Sequence, residues 1–397
     1  MTDRARLYAA AFLRAFATGM TGILLGVYLP RAGCSATQTG LIVGAGLAGV
    51  AFATLIATLR ADLLGRRRFL IGIAVVGAAG TALVAFASLP VFLAAAAFLG
   101  MVNGMGRDRG AALVVEQATL PATVDDRSRT RTFAWYNIVQ DAGHALGSLA
   151  AALPALLRSA SGMDELASLR AAFALAAAIV AATAVLYFGL TPAIESASRS
   201  ERASVTPETR RVLWRIGSLF TLDSLGGGFL TAALLSVFFF RRFGVDEATL
   251  GPLFFGARVL NAASHLVAAW LAHRIGLIRT MVFTHIPSSV LLLTVPFAPS
   301  FAVAAILFLL REGLVEMDVP TRQSYVMAVV RPEERTFASG VTQLTRTCAW
   351  AVAPAFAGAL MDGVSMATPL VAGASLKILY DVLLWSAFRK VKPPEER

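Results

Sequence analysis

The stretch ADLLGRRR, residues 61–68, separates two long apolar segments that lie near residues 36–58 and 69–88. Each segment is long enough to cross the hydrocarbon core of a bilayer as a helix, which takes about 20 apolar residues. A glycine followed by three arginines is typical of a short charged loop that joins two such helices. The stretch therefore predicts that this part of the chain is a pair of membrane-spanning helices.

The composition extends this prediction to the whole chain. Of 397 residues, 57% are hydrophobic and only 15% are charged, and the mean hydropathy is +0.70. Soluble domains carry about 25% charged residues, so this composition excludes a soluble enzyme. The net charge of +11 does not indicate a nucleic-acid partner, because the basic residues are spread between the apolar segments instead of forming one exposed face.

Apolar segments of spanning length recur along the chain, separated by charged residues, Gly or Pro. They lie near residues 7–29, 36–58, 69–88, 90–115, 131–155, 170–190, 212–240, 248–271, 278–297, 300–326, 336–360 and 368–389. The hydrophilic stretch 192–211 divides them six and six. We therefore predict an all-α membrane protein with twelve transmembrane helices in two pseudo-symmetric six-helix bundles. The bundles are assigned to residues 1–191 and, with a cytoplasmic tail, 212–397, and residues 192–211 are the cytoplasmic linker.

The loop charges predict the orientation of the chain, because basic residues concentrate in cytoplasmic loops. The basic loops contain Arg4 and Arg6, Arg60 and Arg66 to Arg68, Arg127, Arg129 and Arg131, Arg274 and Arg279, Arg331 and Arg335, and Arg389, Lys390 and Lys392. The intervening loops contain little beyond Arg31, Arg158, Arg170, Arg241 and Arg242. We expect a multi-pass protein of the cytoplasmic (inner) membrane, with both termini and the linker in the cytoplasm.

The two halves of the sequence resemble each other at a constant offset of 211 residues. The matching positions are Gly33 and Gly244, Gly40 and Gly251, Gly65 and Gly276, and Pro121 and Pro332. Two copies of a helical unit in parallel orientation are typical of transporters whose halves rock about a central site.

The quoted stretch resembles motif A of the major facilitator superfamily, D-x-x-G-R-[KR]-[KR]. The matching residues are Asp62, Gly65, Arg66, Arg67 and Arg68. The chain is similar to that family over nearly its whole length, in the number of spans, their division into six and six, and a degenerate second motif. It departs from the family's pattern at Thr58, where the motif begins with Gly, and at Leu63, which is usually basic. The resemblance implies a secondary transporter that works by alternating access between two bundles.

The residue types of motif A can be explained by the interactions that they can form in this fold. An aspartate at a helix end and arginines in a tight turn can bridge the two bundles on the cytoplasmic face and hold one gate state. We therefore assign Asp62, Gly65, Arg66 and Arg67 to a gate. The alternative is that the arginines only fix the orientation of the chain. The family's antiporter motif C is poorly matched, since Gly143 and Gly147 lack the Gly-Pro that should follow, so this motif does not decide the direction of transport.

Polar residues inside the spans are the candidates for solute binding. A charged residue at the bilayer centre costs about 2.5–3.5 kcal/mol, so it normally faces the bundle interior and has a partner. The residues assigned to a substrate cavity are Arg14, Asp141, Asp223, Arg258, Asn261 and Arg346. Under the offset of 211, Arg14 and Asp223 reach similar depth in equivalent helices. They either line the central cavity, paired or separated by solute, or form a fixed structural salt bridge.

The tenth span holds the candidates for proton coupling: Arg311, Glu312 and Glu316. Glu312 and Glu316 are four residues apart and share one face of the helix. Two carboxylates crowded in a low dielectric raise the affinity for one proton. Arg311 occupies the position equivalent to Gly100, where the family resemblance places a motif B arginine. We therefore predict that these three residues couple transport to protons.

The remaining reactive side chains predict no further chemistry. The four histidines are dispersed, and Cys34 and Cys348 are far apart, so we expect no metal site and no structural disulfide. We expect no enzymatic activity, no cofactor and a monomer whose partners are a small-molecule solute, protons and the bilayer. The predicted function is secondary active transport, as proton-coupled efflux by antiport. Uptake of a small polar or anionic solute by a symporter or facilitator stays open, as does a receptor or scaffold that keeps the fold without transport.

Overall fold

The computed structural model describes residues 1–123, 129–195, 206–317 and 335–388. Within these ranges the regular structure is helical and contains no strand. The middle of the predicted linker, the end of the tenth predicted span, Pro332 and the C-terminal tail lie outside the described residues.

The first half of the chain forms eight helices in its described part. They are α1 (Asp3–Arg31), α2 (Ala36–Leu64), α3 (Arg66–Phe86), α4 (Pro90–Gly100), α5 (Ala111–Thr119), α6 (Arg129–Ala150), α7 (Leu153–Ser161) and α8 (Glu165–Phe188). Local signals in the sequence set several starts. Ser35 and Gln38 form a capping box at the start of α2, and the Asp164 side chain accepts the Ala167 N–H at the start of α8.

The second half forms seven helices in its described part. They are α9 (Pro207–Gly228), α10 (Ala232–Phe243), α11 (Glu247–Ile275), α12 (Leu277–Thr294), α13 (Phe301–Val315), α14 (Arg335–Gly363) and α15 (Thr368–Phe388). Every one of the twelve predicted apolar segments overlaps at least one of these helices or those of the first half.

Seven helices in the described part of the chain are long and apolar enough to cross a membrane by length and composition. They are α1, α2, α3, α8, Leu213–Phe243, Leu277–Phe297 and Thr368–Ala387. The prediction of an all-α membrane protein is confirmed.

Two spans that the sequence predicts as continuous helices are interrupted. The fourth breaks between α4 and α5, where Met101 has a positive φ of 50° and Gly104, Gly106 and Gly110 follow. The seventh breaks at residues 229–231, directly after a run of three glycines. Glycine is a poor helix former, and an apolar window does not register such a break because it averages hydropathy over the whole span.

The internal repeat is visible in the helix boundaries. The starts of α2 and α11, of α3 and α12, and of α4 and α13 are each 211 residues apart. Gly65 and Gly276, at the start of α3 and α12, both have a φ of +88°. Two equivalent glycines that share the same positive φ support one ancestral unit copied in tandem.

The described helices pack into two compact units. The first contains Met1–Ser200 together with Thr231–Phe255 and Pro354–Gly363, and the second contains Glu201–Leu230, Gly256–Ala353 and Val364–Arg397. Short segments from the second half of the sequence therefore pack with the first half. The bundle borders at 1–191, 192–211 and 212–397 stay a prediction.

Each unit has a buried apolar cluster next to a group of buried charges. In the first unit, Leu7 and Leu70 pack around Tyr136 and Tyr187, all four fully buried. In the second, Phe220, Met281 and Leu384 pack around Tyr380. The apolar packing fixes the helices that carry the polar side chains described next.

Candidate functional site

The deepest charge of the first unit is Glu116 on α5, which is fully buried. The Arg14 guanidinium donates to both of its oxygens, with Nη1 and Nη2 each 2.7 Å from an Oε atom. The hydroxyl groups of Tyr136 and Tyr187 also donate to it, at 2.6 and 2.7 Å. Four donors from three other helices therefore satisfy one carboxylate, which is the arrangement that a buried charge requires.

Asp108 brings a second carboxylate to Arg14, at 3.0 Å between Oδ2 and Nε. It lies in the break between α4 and α5 and accepts the Gly110 N–H at 3.3 Å. The Asp108 backbone N–H in turn donates to Nε2 of the buried His144, at 2.7 Å. The helix break thus places a side chain against α1 and a backbone N–H against α6.

A pocket lies beside this cluster. Its polar lining comes from Arg14, Asn103, Asp108 and Tyr187, and its apolar lining includes Val50, Ile73, Met101 and Val180. A pocket with apolar walls and a few convergent polar groups is the usual form of a small-molecule site. It is the candidate solute site of the first unit.

The second unit contains a different group of buried charges, on α9, α12 and α15. The Lys377 ammonium donates to Asp223 Oδ1 at 2.8 Å, and His285 Nδ1 lies 2.8 Å from Asp381 Oδ2. His285 Nε2 lies 3.4 Å from Lys377 Nζ and 3.9 Å from Asp223 Oδ1. All four side chains are buried, with at most 7% of the residue exposed. We call these four residues the titratable quartet.

The predicted proton-coupling residues of α13 lie in the same unit. Glu312 forms an ion pair with its neighbour Arg311 and accepts from Asn261 Nδ2 at 2.8 Å. The same Asn261 group also donates to the Glu312 backbone carbonyl, which ties α11 to α13. Glu316 follows α13 as its C-terminal cap residue. The Glu312 carboxylate therefore has an arginine and an amide as partners.

The structure places the predicted cavity residues on both units. Arg14 bonds Glu116 and Asp108 within the first unit, and Asp223 bonds Lys377 within the second. Arg346 on α14 donates to Ser224 Oγ at 3.3 Å and lies over the Trp350 ring, 4.8 Å from its centroid. Asn261 on α11 bonds Glu312, as described above. Asp141 on α6 is exposed, and Arg258 on α11 is partly buried. A role of these residues in binding solute stays a prediction.

The motif A residues form their hydrogen bonds and ion pair with other residues of the first half of the chain. Asp62 forms an ion pair with Arg66 at 2.7 Å. The Glu195 carboxylate accepts the backbone N–H groups of Arg66 and Arg67, at 2.7 and 3.2 Å, and so caps the N-terminus of α3. Arg67 also donates to the Phe188 carbonyl at 2.5 Å. These contacts hold the loop against α8, and the predicted gate role stays a prediction.

Several site residues are missing from the sequence-based assignment: Asp108, Glu116, Tyr136, Tyr187, His285, Lys377 and Asp381. One signal was available, since Lys377 and Asp381 are two opposite charges four residues apart in an apolar span. His285 offers no such signal, because its partners come from helices far away in the sequence.

Comparisons with known proteins agree with this architecture. The model of the Major Facilitator Superfamily matches residues 7–315 and 224–397. An uncharacterized membrane protein of Saccharomyces cerevisiae is 26% identical over 417 residues, which cover 96% of this chain and 93% of that protein.

Solved structures with the same fold include two transporters. The nucleoside transporter NupG has a TM-score of 0.75 at 14% identity and covers 99% of this chain and 100% of its own. A bacterial homologue of the human lysosomal transporter Spinster, in an inward-facing and occupied conformation, has a TM-score of 0.73 at 14% identity, covering 97% and 96%. The predicted transporter fold is confirmed.

Proposed function

The chain belongs to the Major Facilitator Superfamily, and we propose that it is a proton-coupled secondary transporter that works by alternating access. As a member of this family it is a multi-pass membrane transporter of a small solute and not an enzyme. We further propose that it lies in the cytoplasmic membrane as a monomer, with both termini in the cytoplasm, because the basic residues concentrate in one set of loops.

The observation that carries the proposal is the set of ionisable side chains buried in both units. Glu116 in the first unit, and Asp223, His285 and Asp381 in the second, are at most 4% exposed. Ionisable groups at membrane depth are expensive, and they typically mark solute or proton pathways. Ion pairs whose only role is to hold helices together can often be replaced by apolar side chains without loss of stability. The presence of buried ionisable groups in both units therefore favours a functional role.

The cavity of the first unit supports a small polar solute. Arg14 and Asp108 present opposite charges to it, and Asn103 and Tyr187 add neutral hydrogen-bonding groups. A solute with both donors and acceptors can form further hydrogen bonds with these groups, whereas a lipophilic compound can form none.

Alternating access is supported by a group of ion pairs that we call the arginine lock: Arg31, Arg158, Glu165 and Glu247. The fully buried Glu247 carboxylate pairs with Arg31 Nη1 at 2.7 Å and with Arg158 Nη1 at 2.5 Å, and Arg31 Nε lies 2.5 Å from Glu165. The lock joins a residue of the second sequence half to three residues of the first. It lies at the ends of the helices opposite motif A, where a transporter must be able to open and close.

A second contact strengthens the same end. The Asp362 carboxylate accepts the backbone N–H groups of Ala36 and Thr37, at 3.2 and 2.7 Å, and so caps α2 from α14. Close to it, Gly40 and Gly358 let the two helices touch, since a Cβ atom at Gly358 would lie 2.2 Å from the Ala36 carbonyl oxygen. Contacts made through caps and ion pairs can break and re-form as rigid helices separate.

For the direction of transport, we propose efflux in exchange for protons, with proton-driven uptake as the alternative. The polar lining of the first-unit cavity favours uptake, because exporters of lipophilic compounds need a more apolar pocket. A facilitator that ignores the proton gradient is the remaining alternative of the same fold.

The test is solute flux in proteoliposomes of defined orientation. A panel of radiolabelled nucleosides, amino acids and organic anions is offered with the lumen acidic, with the lumen alkaline, and with no pH gradient. Accumulation driven by an acidic lumen identifies antiport, and accumulation driven by an acidic exterior identifies symport. Liposomes without protein and an ionophore that collapses the gradient are the controls. Flux that is saturable but indifferent to the gradient would refute proton coupling while leaving transport intact.

A further inference from the structure

Two carboxylates of the first unit share Arg14, but their hydrogen-bond shells differ. Glu116 accepts four hydrogen bonds, two from the Arg14 guanidinium and one from each of two tyrosine hydroxyls. Asp108 accepts two in the described part of the chain, from Arg14 Nε at 3.0 Å and from the Gly110 N–H at 3.3 Å. A carboxylate can accept about four hydrogen bonds. The shell of Glu116 is therefore complete, whereas Asp108 can accept further donors.

Of these two carboxylates, Asp108 is the one that lines the pocket of the first unit. Arg14, Thr18 and Asn103 line the pocket with it, and Glu116 does not. Arg14 and Thr18 are four residues apart, so they share one face of α1. The Asp108 side chain is only 10% exposed. A nearly buried carboxylate gains most from a donor that reaches it through the pocket, because water can supply few of its hydrogen bonds.

The Arg14 guanidinium has little capacity left to bind an anionic solute. Its Nε donates to Asp108, its Nη1 donates to Glu116 and to the Tyr187 hydroxyl, and its Nη2 donates to Glu116. Four of its five N–H groups are therefore engaged within the protein. An anion in the pocket would also lie beside the Asp108 carboxylate, and like charges repel.

The backbone around Asp108 holds its carboxylate at the pocket. The Asp108 N–H donates to Nε2 of His144 at 2.7 Å, and the carboxylate accepts the N–H two residues further along the chain. The neighbouring Arg107 and Arg109 do not line the pocket, and each has a partner of its own. Asp108 is therefore the charged residue of this segment that a solute in the pocket meets.

We propose that this pocket binds the protonated amino group of a solute, and that Asp108 is the residue that binds it. The proposal rests on the proposed transport function and names the class of solute, a small cationic amine with an apolar body. The ammonium donates to the free acceptor positions of Asp108 while Arg14 keeps its contacts. The apolar body lies against Val50, Ile73 and Val180, which line the same pocket.

An ammonium group matches the pocket in the number and kind of its hydrogen bonds. It has three donors and no acceptor. Besides Asp108, the Thr18 hydroxyl and the Asn103 side-chain oxygen can accept from it, and both residues line the pocket. A hydrogen bond from a charged donor to a carboxylate is about twice as strong as one between neutral groups. The charge of the solute should therefore decide how tightly it binds.

The experiment compares three compounds that share one isopentyl group: isopentylamine, isopentyl alcohol and isocaproate. At about pH 7 they are a cation, a neutral molecule and an anion. The full chain is reconstituted in nanodiscs, and its unfolding temperature is measured as each compound is titrated, which gives an apparent Kd. We expect the amine to bind about tenfold more tightly than the alcohol, and isocaproate to give no stabilisation.

The variants assign the binding to Asp108. In Asp108→Asn the advantage of the amine over the alcohol should disappear, because the amide keeps the shape of the side chain but not its charge. Asp164→Asn is the matched control: it removes an exposed carboxylate that caps α8 outside the pocket, and asparagine caps a helix as well as aspartate. It should leave all three apparent Kd values unchanged. Thr18→Val should weaken the amine a few-fold without touching an ion pair.

The wild-type protein alone can overturn the proposal, even if Asp108→Asn fails to fold. If isopentyl alcohol or isocaproate binds as tightly as isopentylamine, the pocket does not select a cation. An amine advantage that persists in Asp108→Asn would overturn the assignment to this residue. The binding assay and the flux assay also fail separately. Amine binding without saturable flux of any solute would leave the site and refute transport, whereas flux without selective amine binding would do the reverse.

Discussion

Each unit places two carboxylates beside a cation, but the cations differ. In the first unit Glu116 and Asp108 meet Arg14, and two tyrosine hydroxyls complete the shell of Glu116. In the second unit Asp223 and Asp381 meet a lysine and a histidine. A guanidinium does not lose its proton in a protein, whereas an imidazole changes charge near neutral pH. The first cluster is therefore centred on a group with a fixed charge, whereas the second contains an imidazole.

This difference suggests a division of labour. A cluster of fixed charges beside a cavity provides a constant field for binding a polar solute. A cluster with an imidazole contains a side chain whose charge depends on pH in general. The predictions below test this contrast, beginning with the largest expected effect.

Arg14→Met should break the first cluster. It leaves Glu116 buried with two tyrosine donors but no positive charge, and the loss of one partner of a buried ion pair costs about 3–5 kcal/mol. Thermal unfolding of the detergent-solubilised protein should show a large loss of stability.

The matched control for this variant is Arg14→Met with Glu116→Gln, which removes both charges. We expect the double variant to recover most of the stability lost in the single variant. If it also retains solute flux, then Arg14 and Glu116 form a structural salt bridge, and the assignment of Arg14 to the solute cavity is wrong.

Glu247→Gln should loosen the arginine lock, since Arg31 and Arg158 lose their shared buried carboxylate. The native Cys34 reports on this end of the molecule: its side chain is buried, and its carbonyl accepts from Arg241. Burial also raises the pKa of the Cys34 thiol, which slows its reaction with maleimide in the closed state. We expect labelling of Cys34 to accelerate about tenfold, which corresponds to a shift of about 1.4 kcal/mol in the opening equilibrium.

Two controls accompany the labelling experiment. The exposed Cys348 should react at the same rate in the variant and the wild type. Cys34→Ser should abolish the slower of the two labelling reactions and so assign that reaction to Cys34. If the rate at Cys34 is unchanged in Glu247→Gln, the lock does not control access at this end.

Lys377→Met should destabilise the second cluster, because the buried Asp223 carboxylate loses its bond to the Lys377 ammonium. We expect a smaller loss of stability than in Arg14→Met, since Arg14 donates two hydrogen bonds to Glu116 and Lys377 donates one to Asp223. Equal losses in the two variants, measured by thermal unfolding, would remove this difference between the two clusters.

Asp62→Asn should have the smallest effect on stability. The Asp62 side chain is 64% exposed, and an exposed ion pair contributes about 0.2–1 kcal/mol. If motif A is nevertheless a gate, the rate of solute exchange should change while thermal stability does not. Glu195→Gln, which weakens the cap on α3 without touching the ion pair, is the control. An unchanged exchange rate in Asp62→Asn would refute the gate assignment.

Much of the fold follows from local sequence patterns. Apolar length predicts the spans, and the repeated glycines at Gly65 and Gly276 mark turns that have the same backbone conformation in both halves. The helix breaks at residues 101–110 and 229–231 were not predicted. A helix break hardly alters the mean hydropathy of a long apolar window, but it determines which helices the Asp108 side chain can contact.

The candidate sites follow much less from the sequence. In the sequence, a buried charge is a charged residue within an apolar run. This pattern identified Arg14, Asp223 and Glu312, but it does not show which residue on another helix is the partner. Glu116 is 102 residues from Arg14, and Lys377 is 154 residues from Asp223. Pairing over such separations depends on how helices pack, and an offset of 211 between the halves does not encode it.

By itself, the sequence determined that this protein is a helical membrane transporter built from two related halves, because hydropathy and loop charge act locally and sum along the chain. Only the tertiary structure decided which charges meet. It joined Arg14 to Glu116, and it placed His285 between Asp381 and Lys377. Electrostatic energy depends on distance and burial, so the partners of these charged residues are determined only when the helices pack against one another.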